Sequence, residues 1–286
     1  MCSWLIIDCN NWFKYLIVGN FFRHWRVVVP ILLPKVAITH DSFIQTMSFL
    51  TAEWRKLIMA NYEVSQKILL PYLPAGTELD LWNGRCYVSF IGFVFTNVRL
   101  LGVPVPFHTT FEEVNLRFYV RYNDAGIWKR GVVFIKEIVP KHALTFVANT
   151  IYNENYQTFP MKHSWESSNN ELLIDYRFKV KGKWQGIAVN ADKTLIEIPT
   201  GSETEFITEH YWGYSQSNKL LTNEYEVRHP KWKQYAINSY TIDVDYGLTY
   251  GDQFKFLDHS EPLSVFLAEG SEISIERKKT IRAAST

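Results

Sequence analysis

The stretch EEVNLRFYVR, residues 112–121, decides the fold, because its polar and apolar residues alternate over the length of a β-strand. A second apolar run, IWKRGVVFIKEIV at residues 127–139, follows after YNDAG and predicts an antiparallel hairpin. The polar face of the first strand consists of Glu113, Asn115, Arg117, Tyr119 and Arg121, and the apolar face of Val114, Leu116, Phe118 and Val120.

The charged residues of this hairpin allow two interpretations. Counting back from a loop at residues 123–126 places Glu113 opposite Lys136, with Arg117 on the same face and Glu137 on the other. The charges form either a structural ion network, worth up to about 1 kcal/mol per cross-strand pair, or the polar wall of a cavity that binds an ionic ligand. Three such groups on one face favour the cavity.

The rest of the chain predicts more hairpins and few helices. Asn83-Gly84 lies between two apolar runs and is typical of a type I′ turn. Short helices are predicted at residues 65–70, after Pro140 to about residue 150, at 205–212 behind a Ser202/Glu205 capping box, and at 246–256. The fold class is therefore α+β and mostly antiparallel, with a single curled or closed barrel-like sheet whose closure would hide its edges.

Composition limits the class of partner. The chain has 286 residues, 47% of them hydrophobic, which supports a large core in one big domain or two small ones. Its net charge of +1 indicates neither nucleic acid nor an anionic membrane as a partner. Three cysteines and scattered histidines give no disulfide framework and no metal-binding motif. We expect no metal, no cofactor and a cytoplasmic setting.

Residues 1–46 do not resemble the remainder. They are apolar, but charged residues interrupt them before any run reaches the ~20 residues of a membrane span. We expect Met47 to be the true start, with 1–46 an extraneous or disordered extension and 47–286 the folded domain. The alternative is a hydrophobic anchor; no membrane partner is expected if Met47 is the start.

Several strings together resemble a known family. LPAGTELDLWNGRCYVSFIGF, FEEVNLRFYVR, GVVFIKEIVPK, YNENY, FITEHYWGY and FLAEGS are similar to the uncharacterised YqjF-like family, domain of unknown function 2071, from about Met47 to Ile275. That family has no established activity and is grouped with the acetoacetate decarboxylase-like superfamily. The resemblance implies a closed β-structure around a mostly apolar cavity.

The superfamily also implies candidate catalytic residues. Acetoacetate decarboxylase uses a Schiff-base lysine directly after Phe-Pro, and Val139-Pro140-Lys141 resembles that junction, although His142 stands where a second lysine would follow. Lys136 is the rival. An ion pair with Glu113 would keep Lys136 protonated, which suits holding a carboxylate better than Schiff-base attack.

A second cluster of candidates is TEHYWGY, residues 208–214. It is either a packed helix end or the wall of a ligand pocket. Tyr152, Glu154 and Tyr156 are weaker candidates for the same wall. The full predicted ligand-binding set is Glu113, Asn115, Arg117, Glu209, His210, Tyr211 and Trp212.

Three functions remain open from the sequence. The first is a small-molecule-binding β-barrel with Schiff-base, decarboxylase-like chemistry on a small carboxylate or keto acid. The second is a non-catalytic carrier or sensor of an apolar or amphipathic ligand, and the third a structural interaction protein. The expected partner is a small molecule; the sequence does not specify an oligomeric state.

Overall fold

The computed structural model describes residues 48–142, 145, 149, 154–168 and 170–282. The predictions for residues 1–47, for Tyr152 and for most of the helix after Pro140 lie outside these residues. The described strands form one sheet: β1 Leu50–Glu63, β2 Glu78–Leu79, β3 Tyr87–Leu100, β4 Val103–Pro104, β5 Phe111–Asp124, β6 Ile127–Val139, β7 Tyr156–Thr158, β8 Met161–Ser167, β9 Glu171–Val180, β10 Lys183–Glu197, β11 Trp212–Gln216, β12 Leu221–Arg228, β13 Lys233–Asp243, β14 Ser264–Ile275 and β15 Lys279–Arg282.

The helices in the described residues are short, as the sequence predicts. The α-helices are α1 Gln66–Leu69, α2 Glu203–Thr208 and α3 Tyr246–Tyr250, and the 3-10 helices are Leu70–Tyr72 and Asp252–His259. The Ser202 side chain accepts a hydrogen bond from the Glu205 amide and so caps α2 as predicted. However, α2 ends at Thr208, because the chain enters β11 at Trp212 instead of continuing as a helix.

Seven strands pair in a cycle. The order is β14, β1, β3, β5, β6, β11 and β12, and β12 then returns to β14 through the pairs Val227–Ile275 and Arg228–Ser274. Neighbours in the cycle are antiparallel except β6 and β11, which are parallel. Strands β13, β10, β9 and β8 extend from β14 as an arm. The predicted mostly antiparallel sheet that closes on itself is confirmed as this ring of strands, which leaves its members few free edges.

Both faces of β3 are buried over most of its length. Alternate residues of β3 belong to different apolar clusters, with Ile91 and Phe93 in the cluster inside the ring, and Phe90 and Val94 in the cluster outside. The outer cluster packs the ring against the arm and α3, and it includes Tyr176 and other arm residues. The inner cluster surrounds the candidate site.

The predicted register of the β5–β6 hairpin is wrong in two respects. The loop is the two-residue Ala125-Gly126 turn, both at positive φ, so Asp124 pairs with Ile127. This shift of two residues leaves every side chain on its predicted face. A β-bulge opposite Leu116 and Arg117 then adds one residue to β6 and exchanges the faces of the residues beyond it.

The bulge removes the predicted Glu113–Lys136 pair. Lys136 lies beside Leu116 and turns to the outer cluster, where its ammonium donates to the Thr249 carbonyl oxygen. Glu137 lies beside Asn115 and takes the inner position that was expected for Lys136.

The Asn83-Gly84 prediction is confirmed as a turn but not as a long hairpin. Both residues have positive φ, and only Trp82 and Arg85 pair across the turn. Strand β2, before the turn, pairs with β5, and β3, after it, pairs with β1 and β5.

Candidate functional site

A pocket of about 60 Å³ lies inside the ring. By the rule that a water molecule occupies about 10–15 Å³ of such space, it has room for roughly four to six waters or one small organic molecule. All seven strands of the ring contribute to its lining. The polar lining residues are Glu113, Asn115, Arg117, Glu137, Tyr156, Thr208, His210 and His229, and the aromatic ones include Trp54, Phe93, Phe134, Trp212, Tyr225 and Trp232.

Two carboxyl groups from adjacent strands face this pocket. Glu113 on β5 and Glu137 on β6 are each 2% exposed. The Asn115 amide donates to Glu113 Oε1 at 2.9 Å, and the Tyr156 hydroxyl donates to Glu113 Oε2 at 3.4 Å. Burial raises the pKa of Glu113 to about 7, although these hydrogen bonds and the charge of Arg117 oppose the rise. Glu113 can therefore both donate and accept a proton near neutral pH.

A third carboxyl group reinforces this acidic side. The Tyr225 hydroxyl donates to Glu154 Oε1 at 3.0 Å. Burial raises the pKa of Glu154 to about 8, and the charge of Glu113 adds to the rise. The pKa of Glu137 is raised well above its usual range by burial and then by the charges of Glu154 and Glu113. These carboxyl groups retain protons because the apolar wall and their mutual repulsion disfavour the ionised forms.

Arg117 is the cation that lines the pocket in the described residues. It is 9% exposed, and its Nη2 donates to the Ile207 carbonyl oxygen at 3.5 Å. Its Nε has no hydrogen-bond partner. A guanidinium with an unused N–H beside a cavity can bind a carboxylate.

His210 supplies a neutral imidazole. Its Nε2 lies 3.1 Å from Asp80 Oδ2 and 3.3 Å from Arg130 Nη2. Because the Asp80 carboxylate can only accept, Nε2–H donates to Asp80, which also accepts from Arg130 Nε at 2.6 Å. Burial lowers the pKa of His210 to about 4, so the ring is uncharged at pH 7. Because Nε2 carries the proton, Nδ1 is left as an acceptor, and Nδ1 has no partner in the described structure.

The lining residues hold most of the unused hydrogen-bonding capacity of the described structure. In the described residues, seven buried side-chain polar atoms have no hydrogen-bond partner. Five belong to residues that line the pocket, whereas native proteins leave few such atoms without an explanation. The five are Asn115 Oδ1, Arg117 Nε, Glu137 Oε2, His210 Nδ1 and Trp54 Nε1.

The structure brings together five of the seven predicted ligand-binding residues. Glu113, Asn115, Arg117, His210 and Trp212 line the pocket, while Glu209 and Tyr211 do not. The Tyr211 hydroxyl donates to Glu209, and the Tyr211 ring lies 4.7 Å from the His229 ring. Whether any of these residues binds a ligand stays a prediction.

Neither candidate lysine lines the pocket. Lys136 faces the outer cluster, where burial lowers its pKa. Lys141 follows β6 and lies within electrostatic range of Glu112, which points away from the pocket toward His163. The segment at 143–153 contains no lysine. A nucleophilic role for Lys136 or Lys141 stays a prediction.

Sequence reasoning missed three polar members of the site, namely Glu137, His229 and Asp80. Glu137 was assigned to the wrong face because the bulge leaves no compositional signal, and Asp80 was not considered because 130 positions separate it from His210. Glu154 and Tyr156 were noted from the YNENY string, and both lie on the acidic side.

The raised pKa of Glu113 predicts a pH effect on folding stability. Between its usual value of 4.5 and about 7, the folded state keeps a proton that the unfolded state releases, so stability falls as pH rises. At about 1.4 kcal/mol per pKa unit, this loss is about 3 kcal/mol. Glu113→Gln should remove this loss. In urea unfolding, the stability of the variant relative to the wild type should therefore rise by about 3 kcal/mol between pH 4.5 and 7. Glu166→Gln is the control, because this glutamate is exposed, and its stability relative to the wild type should not change with pH. If the stability difference between Glu113→Gln and the wild type does not depend on pH, the burial argument is contradicted.

Solved structures define the fold class. The acetoacetate decarboxylase of Legionella pneumophila has a TM-score of 0.55 and 11% identity, with 82% of this chain and 88% of that chain covered. An acetoacetate decarboxylase-like enzyme from Sphingomonas wittichii RW1 has a TM-score of 0.56 and 9% identity, covering 83% and 94%. The enduracididine biosynthesis enzyme MppR complexed with pyruvate has a TM-score of 0.54 and 12% identity, covering 82% and 90%. The chain has an acetoacetate decarboxylase-like fold.

The family is narrower than the fold. The sequence profile of DUF2071, described as an uncharacterized conserved protein, matches residues 51–272, and the chain belongs to this family. The uncharacterized protein YqjF of Bacillus subtilis (strain 168) is 29% identical over 221 residues, which cover 74% of this chain and 87% of YqjF. The resemblance inferred from the sequence is confirmed.

Two further findings concern only the part of the chain that the structure describes. No helix there has both the length and the apolar character needed to cross a membrane. No three His, Cys, Asp or Glu side chains there are grouped so as to hold a metal ion.

Proposed function

We propose that the pocket inside the ring binds a small carboxylic acid, keto acids included, without a covalent bond. Arg117 would bind the ligand carboxylate through its unused Nε–H, and Glu113 would exchange a proton with the ligand near neutral pH. The observation that carries the proposal is the concentration of unpartnered polar atoms in the lining residues. A bound molecule with both donors and acceptors would satisfy them.

Charge and size support an acid of a few carbon atoms. The Arg117 guanidinium is nearly buried, and a buried cation strongly favours a paired anion. The pocket of about 60 Å³ excludes a long-chain or polycyclic occupant in this conformation. MppR, which has a related fold, is described in complex with pyruvate. A carboxylic acid of that size would fit here.

Schiff-base chemistry at Lys141 or Lys136 is the second candidate. The fold and the Val139-Pro140-Lys141 junction support it. We rank it below non-covalent binding because both side chains lie off the pocket lining.

Thermal unfolding of the full chain with pyruvate, acetate or butyrate tests the proposal. A ligand at 100 times its Kd adds about 2.7 kcal/mol of stability, which for a chain of this size raises Tm by roughly 5–10 °C. Neutral amides of the same acids, such as acetamide and pyruvamide, should give no shift because Arg117 selects the negative charge. Equal shifts with acids and amides, or no shift with any acid, would overturn the proposal.

A reductive trap separates the two candidates. The protein is incubated with pyruvate or acetoacetate and borohydride, and its intact mass is measured. We expect no adduct. An adduct that maps to Lys141 or Lys136 would replace non-covalent binding with Schiff-base chemistry.

A further inference from the structure

Three of the five unpartnered atoms of the pocket belong to residues of the neighbouring strands β5 and β6. Asn115 Oδ1 is an acceptor, and Glu137 Oε2 is one when its carboxyl group is ionised; the two residues pair across β5 and β6. Arg117, whose Nε is a donor, lies two residues further along the same face of β5, a Cα separation of about 7 Å at the usual rise of a strand. An occupant that satisfies these three atoms donates hydrogen bonds at one end and accepts them at the other.

The end of the pocket that contains Asn115 Oδ1 and Glu137 Oε2 also has little positive charge. The charges of Glu154 and Glu113 raise the pKa of Glu137, the charge of Glu113 raises the pKa of Glu154, and Arg117 is the one cation that lines the described pocket. Both oxygens of Glu113 have protein partners, whereas Glu137 Oε2 has none. Lys136 cannot supply the missing charge, because the bulge turns it toward Thr249.

We propose that the occupant is a short amino acid, with its ammonium group on Glu137 and Asn115 and its carboxylate on Arg117. This inference rests on the proposed function and extends it by naming the second charged group of the ligand. An ammonium group donates up to three hydrogen bonds, which matches two unused acceptors on adjacent strands.

Three probes of nearly equal size test this inference on the full chain by isothermal titration calorimetry. β-Alanine carries both charges, butyrate replaces the ammonium with a methyl group, and β-alaninamide replaces the carboxylate with a neutral amide. We expect β-alanine to bind at least about 10-fold more tightly than either of the others, the effect of one buried charged hydrogen bond.

Two variants locate the preference. Glu137→Gln should weaken β-alanine binding by about 10- to 100-fold and leave butyrate binding within a few-fold. The retained butyrate binding also shows that the variant is folded. Glu112→Gln is the matched control, since Glu112 is on β5 but faces His163 outside the pocket; it should change neither affinity.

Proton release gives a second readout that needs no variant. An ammonium beside Glu137 favours the ionised carboxylate, so β-alanine binding near pH 7 should release close to one proton, and butyrate binding should release none. Titrations in buffers with different ionisation enthalpies measure this number. A purely structural role of Glu137 would not produce this difference between the ligands.

The outcomes separate the inference from the proposed function. If butyrate binds as tightly as β-alanine and neither releases a proton, the amino-acid inference is overturned while carboxylate binding stands. If β-alaninamide binds as well as β-alanine, the role of Arg117 is overturned and both fail. Binding of none of the three also overturns both.

Discussion

Replacing Arg117 with leucine is expected to weaken the binding of a small carboxylic acid by at least about 30-fold, because losing one partner of a buried charge pair costs about 2–5 kcal/mol. Arg117 is 9% exposed, and it is the cation that lines the described pocket. Arg117→Lys should lose less ligand affinity than Arg117→Leu, since lysine keeps the charge but not the planar array of N–H donors. Calorimetric titration with butyrate or pyruvate measures both variants.

Arg121→Leu is the control for this experiment. Arg121 is on the same strand, but it is partly exposed and its Nε donates to Glu78 at 3.0 Å, outside the pocket. Its replacement should leave ligand affinity within a factor of about two, since exposed ion pairs contribute about 0–1 kcal/mol. Equal losses in Arg117→Leu and Arg121→Leu would mean that overall charge, and not the pocket, determines binding.

Gly270→Ala should destabilise the fold more than other single methyl additions to the ring. Gly270 has φ of +80°, and a Cβ at this position would lie 2.0 Å from the Trp54 carbonyl oxygen. The contact is with backbone of the paired strand β1, beside the irregularity between Arg55 and Ile58, so neither strand can move without disturbing the ring. We expect a loss of about 4 kcal/mol or more, in the range of the most damaging single substitutions.

Gly126→Ala separates the cost of positive φ from the cost of the clash. Gly126 has φ of +93°, but nothing lies within 4 Å of a Cβ there. Gly126→Ala should therefore lower the free energy of unfolding by only about 1–2 kcal/mol, the cost of a left-handed conformation for an L-residue. Urea unfolding of both variants gives the difference. A Gly270→Ala loss no larger than that of Gly126→Ala would show that β1 and β14 separate easily at this point.

Alternation along β5 was enough to predict which side chains would share a face. Glu113, Asn115 and Arg117 lie together inside the ring because the two-residue period of a strand is local and does not depend on its partners. The same locality explains why the Ser202 cap of α2 and the Asn83-Gly84 turn were predictable. These features depend on residues within a few positions of one another.

Pairing between distant strands was not predictable in this way. The inner position of Glu137 depends on one extra residue in β6, and a single-residue slip moves every later side chain to the other face. The bond from His210 to Asp80 requires β2 to pair with β5, although the sequence around Asn83-Gly84 favours pairing across that turn.

By itself, the sequence determined the class of fold, the family, and which side chains of β5 share a face. These follow from periodicity and from strings of residues that lie next to one another in the chain. Only the tertiary structure decided that Glu137 and not Lys136 faces Asn115, that both candidate lysines lie off the pocket, and that Asp80 holds His210. The physical reason is that a bulge and the closing of the ring are set by packing between distant strands, and no local run of residues specifies them.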